Sequence, residues 1–587
     1  MKYLTKIFTK IMLILTIISV LMSTDRDPKI ALVLSGGGAK GYAHIPVLEM
    51  IDSLDINIDI IIGTSIGANV GSLYSVGYTA KDIYNYAYNT DWMSIFLDKT
   101  NRIDMSYLHK KNESKYQIDF DLKGFTPTFP IGIVHGQRAY TELSKILGQY
   151  EYIKKFDELY IPFRCNATDL LTGEDVVFSE GSLITSVRSS FSIPSVFAPV
   201  EYNGFLLVDG GVKNNIPVNI AKNLDYDIIL TSVVVSEKPL KENIKTSVID
   251  VLSESVFIHT SDFEESNLKN SDYIIKTNIP RGNSMNFSQK GVTNIYALGK
   301  KATYRNIDKF LELKEKVGGK KRKPKLKKMD DFNSIIKNIN IIGNNKLSDS
   351  FIIDVLGISI DDTLKLEKIH TGINSLYGLG YFNTVRYNLE PQNDFTTTEL
   401  DIFVEESSFN KLQTGLKWDN FYELVAVANI KINDFLAPGL LITNEFQFPG
   451  IRKNSLKVSY PKKIFNIPYY PFYKNNYLRK DINWYSNNNS AGNGSNPPIA
   501  IYDARILSNS LGVGVIIGKN CEIEIDLQSE SSSFISKIDG DGSELNYSKE
   551  NTTIATIDFD FDSRDNALLP KNGSLINIIF SNSIYNR

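Results

Sequence analysis

Gly63-Thr64-Ser65-Ile66-Gly67 is a G-x-S-x-G pentapeptide whose surroundings give it a chemical reading. The apolar run 59–62 predicts a buried strand and 66–74 predicts a helix, so Ser65 stands at a strand–turn–helix corner. Flanking glycines let such a corner turn sharply enough to present the hydroxyl as a nucleophile. A second glycine-rich turn, Gly36-Gly37-Gly38-Ala39-Lys40-Gly41, follows the predicted strand 30–34 and opens a predicted helix 42–51. Consecutive N–H groups at a helix start suit an anion, either a phosphate or the oxyanion of a tetrahedral intermediate. The spacing fits neither G-x-x-x-x-G-K-[ST] nor G-x-G-x-x-G, which favours the oxyanion. A purely structural tight turn is the plain alternative.

A serine nucleophile needs a base. The histidines are His44, His109, His135, His259 and His370, none in a late catalytic turn, and His44 falls on the predicted helix after the glycine turn. Asp209, in Asp209-Gly210-Gly211 after the predicted strand 205–208, is the better partner, because burial raises a carboxyl pKa toward the range of a general base. D-G-G is also a common turn, so the residues alone leave this open. Trp92, Met93, Ile95 and Phe96 read as an acyl channel or lid, or more commonly as ordinary core. No acidic cluster has calcium-loop spacing such as D-x-[DN]-x-[DN]-G, and Cys165 and Cys521 are too far apart in sequence for a zinc motif. No metal and no cofactor is expected.

The elements that must position these residues lie in 28–313, where short apolar strands (29–34, 58–62, 161–166, 228–234, 273–278) alternate with helical stretches, the pattern of a layered α/β domain. The segment 314–328, KEKVGGKKRKPKLKK, sets nine basic residues against one acid and cannot build a core. It reads as part of a basic linker, 314–335, or as a patch for anionic head groups. Residues 338–406 read strand, helix, helix, strand, strand (339–342, 348–356, 365–379, 383–389, 398–405), a small α+β module. Beyond 411 the apolar period becomes two, in 424–432, 440–448, 455–460, 513–517, 522–527 and 554–561, with turn-rich stretches such as 487–498 between. Such strands late in an exported chain point to a transmembrane barrel, with a soluble β-sandwich as the plain alternative. Export is suggested by Lys2, Lys6 and Lys10 ahead of the apolar run 11–22, a signal peptide over 1–24. The 587 residues carry 64 basic and 67 acidic side chains, net −3, which disfavours a dedicated nucleic-acid binder. Their 42% hydrophobic and 22% charged content disfavours wholesale disorder, collagen and a multi-helix membrane bundle.

The ordered set Gly36–Gly41, Gly63–Gly67 and Asp209–Gly211, with Arg188-Ser189-Ser190-Phe191-Ser192-Ile193-Pro194 shortly before the aspartate, resembles the patatin-like phospholipases over roughly 30–307. Residues 167–170 and 130–136 match that family in style. The resemblance implies a three-layer α/β hydrolase domain with a Ser–Asp dyad: Ser65 as nucleophile, Asp209 as general base, and the amides of Gly36, Gly37 and Gly38 as oxyanion hole. Lys40, Gly41, Gly63, Gly67, Gly210 and Gly211 are the accompanying motif positions. Lys40 stands where many relatives carry Arg, which keeps the charge and loses the bidentate fork. Residues 338–406, with Gly343-Asn344 and the GLGYF run 378–382, resemble a polypeptide-transport-associated (POTRA) module. The DFDSRDN run 560–566, then Leu569-Pro570 and Gly573, is similar to bacterial surface-antigen barrels.

Together these parts resemble the patatin-type (type Vd) autotransporters, whose barrels have about sixteen strands and end in an aromatic residue. Residues 411–587 hold about ten membrane strands of 9–11 residues, so the expectation is an incomplete barrel, a curled sheet with two open edges. The implied protein is a serine acyl hydrolase of phospholipase A type acting on membrane glycerophospholipids. Its own barrel anchors it in the outer membrane or cell surface of a diderm bacterium, with the passenger held or released. A non-enzymatic outer-membrane assembly or transport component, and an esterase on neutral lipids or lysolipids, are the alternatives. No nucleic-acid partner is expected; oligomeric state and head-group preference are left open.

Overall fold

The computed structural model describes residues 28–586 except 114, 129–131, 133, 237–260, 281, 318–325, 393–394, 435–436, 465–466, 485–499 and 540–546. The expected signal peptide, most of the lysine-rich part of the linker and the turn-rich stretch 487–498 lie outside the described residues. The chain forms two compact units, Met1–Phe96 with Glu142–Asp331, and Leu97–Thr141 with Phe332–Arg587. Residues 97–141, which the sequence pattern assigns to the first domain, therefore group with the second unit.

The first unit is an eight-stranded sheet in the order Tyr273–Ile279, Ile228–Ser236, Ile30–Leu34, Ile60–Thr64, Phe163–Asp169, Phe205–Asp209, Val200–Tyr202, with Asp175–Phe178 also paired to Phe163–Asp169. The first five strands are parallel, and Phe205–Asp209 runs antiparallel to Phe163–Asp169. Ile30–Leu34 and Ile60–Thr64 are buried at every position, because helices cover both faces. Ala31, Val33, Ile60 and Ile62 pack on Val218, Ile220 and Ala221 of the helix Val218–Asn223. On the opposite face, Leu34, Ile61 and Phe163 lie beside Gly71 of the helix Ile66–Ser75. The predicted helix 42–51 is instead a 3-10 turn, Gly38–His44, followed by the α-helix Ile45–Ser53, which accepts Pro46 because its first turn needs no internal N–H donor. Trp92 and Phe96 join Tyr42, Phe197 and Phe287 in an aromatic cluster with centroid spacings of 4.8–5.9 Å, the ordinary-core reading of that segment, while Met93 stays exposed. The helix Ile307–Val317 runs on through Lys314 and Lys316 because Phe310, Leu313 and Val317 are all buried.

The second unit holds two sheets. The smaller has the order Ile335–Ile342, Thr397–Glu406, Phe382–Gln392, covered by the helices Asp349–Leu356 and Leu366–Gly378, which is the strand–helix–helix–strand–strand order expected. Ile336, Ile352, Ile369, Leu376, Val385 and Leu400 form its core.

The larger sheet has twelve strands and runs antiparallel from Leu575–Asn586 back to Lys411–Asp419. It is inside-out for a protein in water. Glu522, Glu524 and Asp562 are buried on one face, while Ile525, Leu527, Ile557, Leu511 and Leu416 are exposed on the other. That alternation suits a sheet whose apolar face meets lipid.

Two differences from the expected barrel stand out. The strands Ala500–Ile517, Cys521–Asp539 and Tyr547–Asp562 are far longer than their apolar cores, because their Ser- and Asn-rich ends keep pairing after the alternation stops. The Lys411 edge is not open: Ile118–Lys123 pairs antiparallel with it, in the register Lys411↔Asp121 to Thr414↔Ile118, and Thr126–Thr128 pairs in turn. No helix among the described residues is long and apolar enough to cross a membrane.

Candidate active site

Ser65 follows directly on the strand Ile60–Thr64 with φ 55° and ψ −122°, a conformation that strains any residue bearing a Cβ. Its N–H donates to Ser190 Oγ at 2.9 Å, which fixes the turn. Both flanking glycines are needed for close approach. A Cβ on Gly67 would lie 2.4 Å from the Leu34 carbonyl oxygen, and one on Gly63 would lie 2.5 Å from the Gly67 backbone. The G-x-S-x-G pattern thus records how tightly the first helical turn sits on the strand behind it.

Asp209 is the last residue of the strand Phe205–Asp209 and is wholly buried. Although 144 positions separate them, Ser65 Oγ donates to Asp209 Oδ2 at 2.7 Å. The other oxygen, Oδ1, accepts the Gly211 N–H at 2.7 Å, and the Asp209 N–H donates to the Ser192 carbonyl at 2.9 Å. Burial pushes the Asp209 carboxyl up to about 7, against the pull of the bonds from Ser65 and Gly211. A carboxyl in that range, bonded to a serine hydroxyl, can take up and return a proton near neutral pH.

Gly36 packs against the nucleophile: a Cβ built on it would sit 3.3 Å from Ser65 Cβ and 2.3 Å from Asn215 Oδ1. Its N–H is already donated to the Asn215 carbonyl at 3.0 Å. Gly37 and Gly38 follow at the start of the 3-10 turn, where backbone N–H groups lack intrahelical acceptors. Lys40 reaches Ser236 Oγ at 2.9 Å, Gly41 packs on Ile66, and Gly210 lies over the Asn166 carbonyl.

His44 is not brought to Ser65. It is fully buried, its Nδ1 lies 2.7 Å from Ser232 Oγ, and its Nε2 lies 3.0 Å from the Ser35 carbonyl. A carbonyl only accepts, so Nε2 carries the proton and Nδ1 accepts from Ser232. Burial lowers its pKa to about 4, leaving a neutral ring that braces the glycine turn. Among the described residues no three His, Cys, Asp or Glu side chains gather closely enough to hold a metal ion.

Several residues that sequence reasoning did not single out hold this geometry. Ser190 and Ser192 belong to the 188–194 motif, noted only for its likeness to a family; here one accepts the N–H of the serine and the other the N–H of the aspartate. Arg188 donates to Ser192 Oγ at 2.6 Å and lies 4.4 Å from the Phe197 ring centroid. The Thr64 hydroxyl donates to Asn166 Oδ1 at 2.6 Å, and Asn166 and Asn214 both donate to Asp175, which ties the nucleophile strand to the base turn.

The family described as Patatin-like phospholipase matches residues 32–222, which contain every one of these positions except Ser232, Ser236 and those beyond. The chain carries a patatin-like phospholipase domain. A second family, described as Surface antigen variable number repeat (POTRA), matches residues 334–407, the smaller sheet of the second unit. The patatin-like phospholipase domain is similar to an uncharacterized NTE family protein of Mycobacterium bovis, 30% identical over 205 residues, which is 35% of this chain and 48% of that protein. It is also similar to the lysophospholipase NTE1 of Candida albicans, 29% identical over 194 residues, 33% of this chain and 12% of that protein. The chain thus spans about half or less of the length of these relatives. Among solved structures, BamA from Haemophilus ducreyi lacking POTRA domains 1–3 aligns at 15% identity over 45% of this chain and 49% of its own, with a TM-score of 0.30. A likeness at that level carries no argument.

Proposed function

We propose that this chain hydrolyses acyl ester bonds of membrane glycerophospholipids, with Ser65 as nucleophile and Asp209 as general base. The observation that carries the reading is the 2.7 Å bond from Ser65 Oγ to a buried carboxyl raised to about 7. Ser65 Oγ attacks the ester carbonyl as its proton passes to Asp209 Oδ2. The oxyanion meets the N–H groups of Gly37 and Gly38, since that of Gly36 is already committed. When the tetrahedral intermediate collapses, the ester C–O bond breaks and Asp209 returns the proton to the departing glycerol oxygen, leaving an acyl-serine. Water then gives its proton to Asp209 as it attacks the acyl carbonyl, and Ser65 recovers its hydrogen when the fatty acid leaves. Ser190 and Ser192 act as positioning residues for the two reacting groups. The inverted polarity of the large sheet supports anchorage in an outer membrane, with lipid as both neighbour and substrate.

The test is fatty-acid release by the full chain from glycerophospholipid, lysophospholipid and triglyceride, compared with Ser65→Ala and Asp209→Asn. Hydrolysis of the diacyl phospholipid that both substitutions abolish is the expected result. Release from triglyceride alone would overturn the substrate class, and an undiminished Ser65→Ala rate would overturn the dyad.

A further inference from the structure

Residues 97–141 interrupt the phospholipase sequence, yet their partners within the second unit are numerous and specific. Arg102, only 3% exposed, makes a two-pronged bond to Asp562 at 3.0 and 2.8 Å, a third bond to Glu113 at 2.8 Å and a fourth to the Arg564 carbonyl at 3.0 Å. Lys110 reaches Asn520 Oδ1, Lys111 reaches Glu522 at 2.6 Å, and Lys115 pairs with Glu445, which also accepts from the Tyr116 hydroxyl at 2.9 Å. The carboxylates belong to the polar, buried face of the large sheet. Arg102, Lys111 and Lys115 therefore lie along a row of buried carboxylates; the Arg102–Asp562 pair is itself buried and little screened, while Lys111 and Lys115 keep part of their side chains in solvent. The hairpin Ile118–Lys123 and Thr126–Thr128 then supplies the strand that pairs with Lys411–Asp419. Pro127 in that last strand lacks an N–H, which discourages further pairing. At its two ends the insert is held by the POTRA module. The Ser106 N–H donates to the Gly378 carbonyl at 2.9 Å, Gln137 exchanges two 2.8 Å bonds with the Val385 backbone, and the Tyr140 hydroxyl bonds both N–H and C=O of Tyr387.

We propose that residues 97–141 are a built-in tether, an insert of the phospholipase sequence held by the polar face and first strand edge of the barrel sheet, which keeps the enzyme attached even when the 314–335 linker is cut. The chain then joins its two units by three covalent crossings, at 96/97, 141/142 and 331/332, and only the last runs through the linker. The inference does not depend on the catalytic assignment.

Two measurements on the full-length protein in outer membranes test it. A protease site placed in 318–325 is cut, and the membranes are solubilised in mild detergent at physiological salt. More than nine-tenths of the N-terminal fragment should co-elute with the C-terminal fragment and separate only in denaturant. In Arg102→Glu/Lys111→Glu/Lys115→Glu, cutting should release most of it. Separately, Phe120→Cys with Leu412→Cys, which face each other in the strand register, should form a disulfide that shifts gel mobility under oxidising conditions. Release of the fragment from the cut wild-type protein, failure of the cysteine pair to cross-link, or full retention in the charge-reversed protein would each overturn the tether.

Discussion

The raised Asp209 carboxyl turns pH into a direct probe of the dyad. If its pKa is about 7, the ionised, base-competent fraction is about 90% at pH 8 and about 1% at pH 5, so kcat/KM should fall about ninety-fold between them. An aspartate at its ordinary value of 3.8 would still be about 94% ionised at pH 5, and the rate would hardly move. The cause is desolvation, since both hydrogen bonds to the carboxylate oppose the rise. The sign for stability follows from the same shift. The folded carboxyl keeps its proton up to about pH 7 while the unfolded one loses it near 3.8, so stability falls between those values and levels off above. The fall is on the order of 4 kcal/mol at about 1.4 kcal/mol per pH unit. Asp209→Asn retains an oxygen for the Gly211 N–H and removes the ionisation, so it should be inactive yet gain stability at pH 8. The assay is kcat/KM for a soluble short-chain ester across pH 4.5–8.5, with hydrogen exchange of the peptides covering 60–75 and 205–215 at both pH extremes. A rate flat from pH 8 to pH 5, or an Asp209→Asn variant no better protected than wild type at pH 8, would refute the argument.

Four further outcomes are expected. Ser65→Ala should lower ester hydrolysis by at least about a thousand-fold while leaving exchange protection of the strand Ile60–Thr64 intact, and residual turnover of a few per cent would reject Ser65. Ser190→Ala strips the acceptor from the Ser65 N–H; it should reduce kcat by a penalty of about 1–3 kcal/mol without shifting the pH midpoint. His44→Phe leaves the Ser232 hydroxyl and the Ser35 carbonyl unpartnered, so it should destabilise the first unit by about 1–3 kcal/mol in denaturant unfolding, again with the midpoint of the pH profile unmoved. Gly67→Ala drives a methyl into the Leu34 carbonyl and should abolish both activity and strand protection.

The chemistry-bearing turns were legible in the sequence because each is local. Gly63, Ser65 and Gly67 stand within five residues, and the close approach that demands the glycines happens at that same corner. The order of the POTRA elements was legible for a related reason, since helical and strand periods alternate cleanly between 338 and 406. What escaped were contacts whose signal is spread across the chain. Ser190 lies 125 positions from the N–H it receives, and a serine in a helix carries no mark of that bond. The sequence sets His44 aside as the base, but its bracing bonds to Ser232 and the Ser35 carbonyl, the first 188 positions away, left no mark there. The strands after 500 outran their apolar cores because backbone pairing continues through Ser- and Asn-rich ends that show no alternation. The grouping of 97–141 with the second unit was invisible for the same reason: its helix and hairpin look like any insertion until Asp562 and Thr414 are placed beside them.

The two-pronged bond from Arg102 to Asp562 spans 460 positions, and that span bears on the order in which the protein assembles. Closing a loop of that length carries an entropic term of about 5 kcal/mol, and the closure cannot begin until the strand that carries Asp562 exists. At roughly 5–20 residues per second of synthesis, the insert waits on the order of half a minute or more for its acidic partners. The Ser65–Asp209 pair needs only 144 positions and no part of the large sheet. Nucleophile and base can therefore meet while the strands of the large sheet are still to be made, so that on the proposed function the hydrolase takes shape before its anchor does.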